Sequence, residues 1–106
     1  MTKKENIISK VKDIARVGFP DSEIYLYGSQ ARGDASEYSD WDLLILLKTN
    51  IVKFEYEKEL MDQFYELELE TGEVISPLIY SKSDWNNYRY GTSLYENIQK
   101  EGIKIL

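Results

Sequence analysis

Residues 28–42 read Gly28-Ser-Gln-Ala-Arg-Gly-Asp-Ala-Ser-Glu-Tyr-Ser-Asp-Trp-Asp42, with Glu23-Ile-Tyr-Leu-Tyr27 in front and Leu43-Leu-Ile-Leu-Leu47 behind. A Gly-Ser pair follows one β-prone run, and ten residues later two aspartates separated by one residue open a second. The first element can hold phosphate and the second divalent metal. Their closeness in the chain points to chemistry on a nucleoside triphosphate.

Each residue of the stretch has a functional and a plain reading. Gly28 lets the backbone approach a ligand and accepts dihedrals that side chains resist. The N–H groups that follow, with the Ser29 hydroxyl, are suited to phosphate at a helix start; the plain alternative is a strand–helix turn with Ser29 as its N-cap. Asp40 and Asp42 are two apart on the expected strand, so their carboxylates leave the same face. Two such carboxylates repel unless a cation lies between them, and a two-metal arrangement of magnesium ions suits hard oxygen ligands of this kind. A solvated strand start is the plain alternative, weakened by the apolar strand that follows at once. Arg32, one turn beyond Gly28, can reach phosphate oxygens or a pyrophosphate leaving group, or pair at the surface with Asp34 or Glu37. Ser39 either orients a metal-binding carboxylate or caps the loop. Gly33 closes the short turn.

Outward from this stretch the chain alternates helices and strands. Residues 4–17 place Ile7, Ile8, Val11, Ile14 and Ala15 at helical spacing, stopped by Gly18 and Pro20. Glu23–Tyr27 is a strand, Ser29–Gly33 a helical turn, and Asp34–Ser39 a polar loop. The run from Asp40 to Leu47 is apolar on both faces beyond Asp42, which fits the middle of a sheet covered on both sides. Phe54–Thr71 is a long helix with Leu60, Met61, Phe64, Tyr65 and Leu67 as its expected buried stripe, ended by Gly72. Glu73–Tyr80 is a third strand, and Pro77 assigns it to an edge or a bulge because proline cannot donate to the ladder. Ser83–Tyr90 is a short aromatic helix or turn. Ser93-Leu-Tyr-Glu96 has capping-box spacing and opens a last helix that ends at Gly102, and Ile103–Leu106 adds a small strand or packs. The expected fold is α/β (α+β), a small mixed sheet of three to four strands packed with helices in one domain over residues 1–106.

Composition narrows the chemistry. The chain contains no cysteine and no histidine, which removes disulfides, thiolate nucleophiles, zinc sites of the usual kind and imidazole bases. Acid–base and metal work then falls to Asp and Glu. A net charge of −6 leaves little from which to build a cationic face and argues against a nucleic-acid partner. No apolar run approaches the length of a membrane span, and the N-terminus lacks a signal-peptide pattern, so the expected location is the cytoplasm. Nine tyrosines and two tryptophans are many for 106 residues. Most suit core or interface positions. Tyr88 and Tyr90 can flank an adenine, Tyr27 directly precedes the phosphate turn, and residues 83–95 form a candidate partner surface.

The run resembles the signature of the DNA polymerase β-like nucleotidyltransferase superfamily. Gly28, Ser29, Asp40 and Asp42 match its Gly-Ser, ten residues, Asp-x-Asp spacing. Ala31, Arg32, Gly33, Ser39 and Leu43 match the longer form of small prokaryotic members, and nearly the whole chain resembles the stand-alone minimal proteins of that group. The resemblance implies that Gly-Ser grips the triphosphate of ATP or another nucleotide and that the aspartates hold two Mg²⁺. It also implies a small helical partner in an antitoxin-type pair, some members transferring AMP to a tyrosine of that partner. One departure stands out. The resemblance calls for a third carboxylate on the strand around Ile75–Leu78, where this chain has Ile75-Ser-Pro-Leu78. Glu73 is the nearest carboxylate in sequence, and Glu70 lies further back at the helix end.

Two readings follow: Mg²⁺-dependent transfer of a nucleoside monophosphate to a hydroxyl on a partner protein, or a degenerate nucleotide-binding module that neutralises the partner by contact. Transfer to a small molecule ranks below both, because such enzymes usually carry a further domain for the acceptor. Polymerase or RNA-tailing activity ranks lower still, given the charge.

Overall fold

The computed structural model describes residues 1–106, the side chain of Tyr88 excepted. Helix α1 (Lys3–Gly18) starts where the Thr2 hydroxyl accepts from the Glu5 amide, and it buries Ile7, Val11 and Ala15. Strand β1 (Glu23–Tyr27) runs into the one-turn helix α2 (Ser29–Arg32), and strand β2 (Trp41–Leu47) follows the loop. Helix α3 (Phe54–Thr71) carries the chain over to strand β3 (Ile75–Ser81). Helices α4 (Lys82–Tyr88) and α5 (Ser93–Glu101) come next, and the short strand β4 (Ile103–Lys104) closes the sheet.

The sheet order is β3-β2-β1-β4. Strand β2 runs parallel to β3, as the long α3 connection permits, and antiparallel to β1, which pairs antiparallel with β4. The arrangement is a mixed α+β fold with β2 in the interior, as its apolar run requires. Pro77 lies in edge strand β3, where its missing donor costs no ladder bond on the open side.

Alternation along β2 divides the molecule into layers. Trp41, Leu43, Ile45 and Leu47 face one way, packing with Ile24 and Leu26 of β1 against Ile7 and Val11 of α1 and Leu60, Phe64 and Leu67 of α3. Leu44 and Leu46 face the other way, against Trp85 of α4 and Ile98 of α5. By the same parity Asp42 belongs to the α4/α5 side. Trp41 anchors the start of β2 in the α1/α3 core at 2% exposure, although its Nε1 lacks a partner. Burying the ring gains roughly 4–6 kcal/mol against about 1–3 kcal/mol for the unsatisfied donor, so the anchor holds. It fixes the backbone between the two aspartates.

Four expectations need correcting. Met61 and Tyr65 are exposed, because the sheet meets the Leu60–Phe64–Leu67 line and each is one residue, about 100°, further round the helix. The cap of α5 is Thr92, whose hydroxyl accepts from the Tyr95 amide, so Ser93 already lies in the first turn. Strand β3 begins at Ile75, leaving Glu73 outside it. Trp85, in the candidate partner surface, is instead buried between Tyr80 and Tyr95 at ring separations of 5.6 and 5.4 Å.

Candidate active site

The register brings the conspicuous residues to one end of the sheet. Tyr27, the last residue of β1, lies opposite Asp42, and on the other side of β2 Asp42 lies beside Ser76. Gly28 therefore turns out of β1 directly over the start of β2. It has φ 74° and ψ −157°, and a Cβ there would overlap the Asp42 carboxylate. Both facts demand glycine. Its carbonyl accepts from the Ala31 and Arg32 amides at 3.1 and 3.0 Å, starting α2. Gly28, not Ser29, occupies the N-cap position, so the Ser29 hydroxyl is not spent on capping. Gly33 ends the turn in the left-handed conformation.

Asp42 is partly buried as the second residue of β2, and Asp40 is exposed on the loop just before that strand rather than within it. Burial raises the Asp42 pKa, and the neighbouring Asp40 charge adds to the rise; Arg32 opposes it and Glu101 reinforces it. A carboxylate so placed favours a cation or a proton. Burial, Asp42 and Tyr80 together push the Tyr27 hydroxyl up to about 12, so it stays protonated.

Ser76 stands where a third carboxylate was sought. It lies beside Asp42, and its hydroxyl donates to Asp40 Oδ2 at 3.1 Å. Glu73 is drawn off to an ion pair with Lys3 of α1, and Glu70 to one with Lys10. Among the described residues no group of three or more acidic side chains is arranged to hold a metal ion. The pair Asp40 and Asp42 nevertheless suits Mg²⁺, which commonly takes one or two protein carboxylates and completes its shell with water and substrate phosphate oxygens.

Arg32 makes the surface pair expected with Asp34, Nε to Oδ2 at 3.2 Å. Its Nη1 also donates to both oxygens of Glu101 at 3.2 Å, and Glu101 Oε1 accepts from the Gly28 amide at 3.2 Å. Glu101 was not legible in the sequence, since a contact across 73 residues leaves no local signal. Ser39 caps its loop, accepting from the Ser36 amide at 2.8 Å and sharing a hydrogen bond with the Ser36 hydroxyl. Tyr90 packs on Tyr95, ring centroids 5.3 Å apart; the Tyr88 side chain lies outside the described residues. Clefts of about 400 and 570 Å³ lie at the other end of β2, beside Lys48 and Thr49, away from the aspartates.

The sequence model of the nucleotidyltransferase domain matches residues 7–105. Two proteins of Methanocaldococcus jannaschii are similar over most of their length. One, named "Putative protein adenylyltransferase MJ0604", is 36% identical over 80 residues, covering 76% of this chain and 73% of the relative. The other, "Putative protein adenylyltransferase MJ0141", is 34% identical over 83 residues, covering 77% and 76%. Among solved structures, a toxin–antitoxin crystallised with AMP-PNP superposes with a TM-score of 0.65 at 18% identity, covering 93% of this chain and 72% of that one. A mutant of the MntA–HpeT toxin–antitoxin also gives 0.65, at 17% identity and the same coverage. At such identity these two show the shared fold alone. With the family match over almost its full length, and with Gly28, Asp40 and Asp42 meeting at one sheet end, the chain belongs to the nucleotidyltransferase domain family.

Proposed function

We propose that the chain binds a nucleoside triphosphate with Mg²⁺ at Gly28, Ser29, Arg32, Asp40 and Asp42, and transfers AMP from ATP to a hydroxyl on a small helical partner protein. The observation that carries this reading is the packing of the Gly28 backbone against the Asp42 carboxylate. That contact sets the turn proposed for phosphate against one of the two carboxylates proposed for metal. The names of the two archaeal relatives support protein adenylylation, and the toxin–antitoxin neighbours support a protein partner.

The roles follow from the side chains. Gly28 and Ser29 offer backbone and hydroxyl donors to phosphate oxygens, and Arg32 offers a guanidinium to the charge that develops on departing pyrophosphate. Asp40 and Asp42 would hold the metal, which when bound supplies charge neutralisation at the phosphates. Chemically, the acceptor oxygen bonds to the α-phosphorus, the bond from that phosphorus to the bridging oxygen of the β-phosphate breaks, and pyrophosphate carries the electron pair away. The hydroxyl proton goes to solvent, because Ser76 is no base. Transfer is therefore slow compared with a site carrying a carboxylate on β3. The test is incubation with labelled ATP, Mg²⁺ and the product of the neighbouring gene. Label on that partner supports the reading; its absence across several metals and nucleotides rejects transfer.

The hydrogen bond from Ser76 to Asp40, where a third carboxylate is missing, favours a second reading, neutralisation of the partner by contact, with or without bound nucleotide. A folded variant carrying both Asp40→Ala and Asp42→Ala would then inhibit the partner as well as the wild type does. Loss of inhibition rejects it.

A further inference from the structure

We infer that Glu101 is an internal occupant of the phosphate seat, a carboxylate that an incoming phosphate must displace and that thereby sets the affinity of the site. The inference rests on the proposed nucleotide site and adds a residue that no motif marks. Two of the donors assigned to phosphate, the Gly28 amide and the Arg32 guanidinium, already point at one anion, and that anion is Glu101. Oε1 accepts from Gly28 at 3.2 Å, and Arg32 Nη1 lies 3.2 Å from both carboxylate oxygens. Planar guanidinium and backbone amide are the groups that recognise phosphate oxygens, so carboxylate and phosphate compete for the same donors.

The local architecture holds Glu101 in place. It is the last residue of α5, and Ile98 of the same helix is buried against Leu44 and Leu46. The next residue, Gly102, approaches the Ile98 carbonyl so closely that a Cβ would overlap it. Strand β4 then pairs Ile103 with Leu26 and Lys104 with Tyr25. The Glu101 backbone is thus clamped between a packed helix and a sheet strand, while its side chain reaches the β1–α2 turn. Glu101 adds its negative charge to that of Asp34 on the same guanidinium, beside Asp40 and Asp42. Among the described residues Arg32, itself pairing with Asp34, is the cation that offsets the acidic groups gathered there. A phosphate accompanied by a cation relieves that charge when it takes the place of Glu101.

The test compares wild type with Glu101→Gln and Glu101→Ala by titration calorimetry, using inorganic pyrophosphate and, separately, ATP with Mg²⁺. Glu101→Gln keeps the size and an acceptor for Gly28 but removes the charge. It is expected to tighten pyrophosphate binding about tenfold, with Glu101→Ala at least as tight. Pyrophosphate bound equally or more weakly by both variants overturns the inference, whatever ATP does. Tightened pyrophosphate binding without any ATP binding upholds the seat and rejects the nucleotide reading instead. Should the variants fold poorly, pyrophosphate added to wild type must shift the NMR signals of the Gly28 amide and Arg32 Nε together; unmoved signals overturn the inference.

Discussion

Strands β2 and β3 lie side by side and parallel, with Asp42 next to Ser76, yet they bring opposite things to the same sheet end. The first supplies a partly buried carboxylate with raised proton affinity, seconded by Asp40 just before it. The second supplies a hydroxyl that donates to Asp40 and a proline one residue on. Backbone position is equivalent and chemistry is not. Packing fixes the strands, through Trp41 on one and Ile75 on the other, and leaves their solvent-side tips free to carry different groups. A fold can thus preserve a nucleotide site while the part that speeds proton removal changes.

The comparison breaks most directly at Ser76. Replacement by Asp places a carboxylate beside Asp42 and is expected to raise AMP transfer on the order of 10²-fold, read as label incorporated per minute into the partner. An unchanged rate means that β3 does not limit the chemistry. On the β1 side, Gly28→Ala forces a side chain into positive φ and into the Asp42 carboxylate. Chemical denaturation should show a loss of roughly 1–3 kcal/mol, with nucleotide binding lost as well; a stable variant that still binds would remove Gly28 from the account. Ser76→Ala deletes only the hydrogen bond to Asp40, and a cost of about 0.5–1.5 kcal/mol is expected from the same assay.

The smallest effect is a pH dependence. A carboxylate whose folded pKa lies above its unfolded value binds its proton more tightly when folded. Its contribution to stability is greatest below the unfolded value and falls as pH rises to the raised folded value, after which the penalty is constant. Asp42→Asn removes that term. Above this window the variant should melt higher than wild type, with the gap closing in more acidic solution. A gap that widens on acidification contradicts the sign.

Local rules made the interior of β2, the place of β3 and the end of α3 legible in the sequence, though not the first residues of β2 and β3. An apolar run on both faces required an interior strand, Pro77 allowed an edge or a bulge and β3 is an edge, and Gly72 ended α3 as expected. The Gly28–Asp42 constellation was legible for the same reason, being held within one strand–turn–strand unit. Long-range choices were not. Which apolar face of α3 meets the sheet depends on where the sheet lies, and Met61 and Tyr65 were misplaced by one step of the helix. Trp85 reads as a surface aromatic until α5 brings Tyr95 against it. The roles of Glu73 and Glu101 depend on Lys3 and Arg32, which only the folded chain brings to them.

Gly28, Asp40 and Asp42 are proposed to form one Mg²⁺-dependent nucleotide site. Equilibrium dialysis of labelled ATP against wild type and the Asp40→Ala, Asp42→Ala double variant, each with Mg²⁺ and with excess chelator, tests it most directly. The account predicts binding by wild type with Mg²⁺ alone, and none by the folded double variant. ATP retained equally in all four dialyses, or in none, would contradict it.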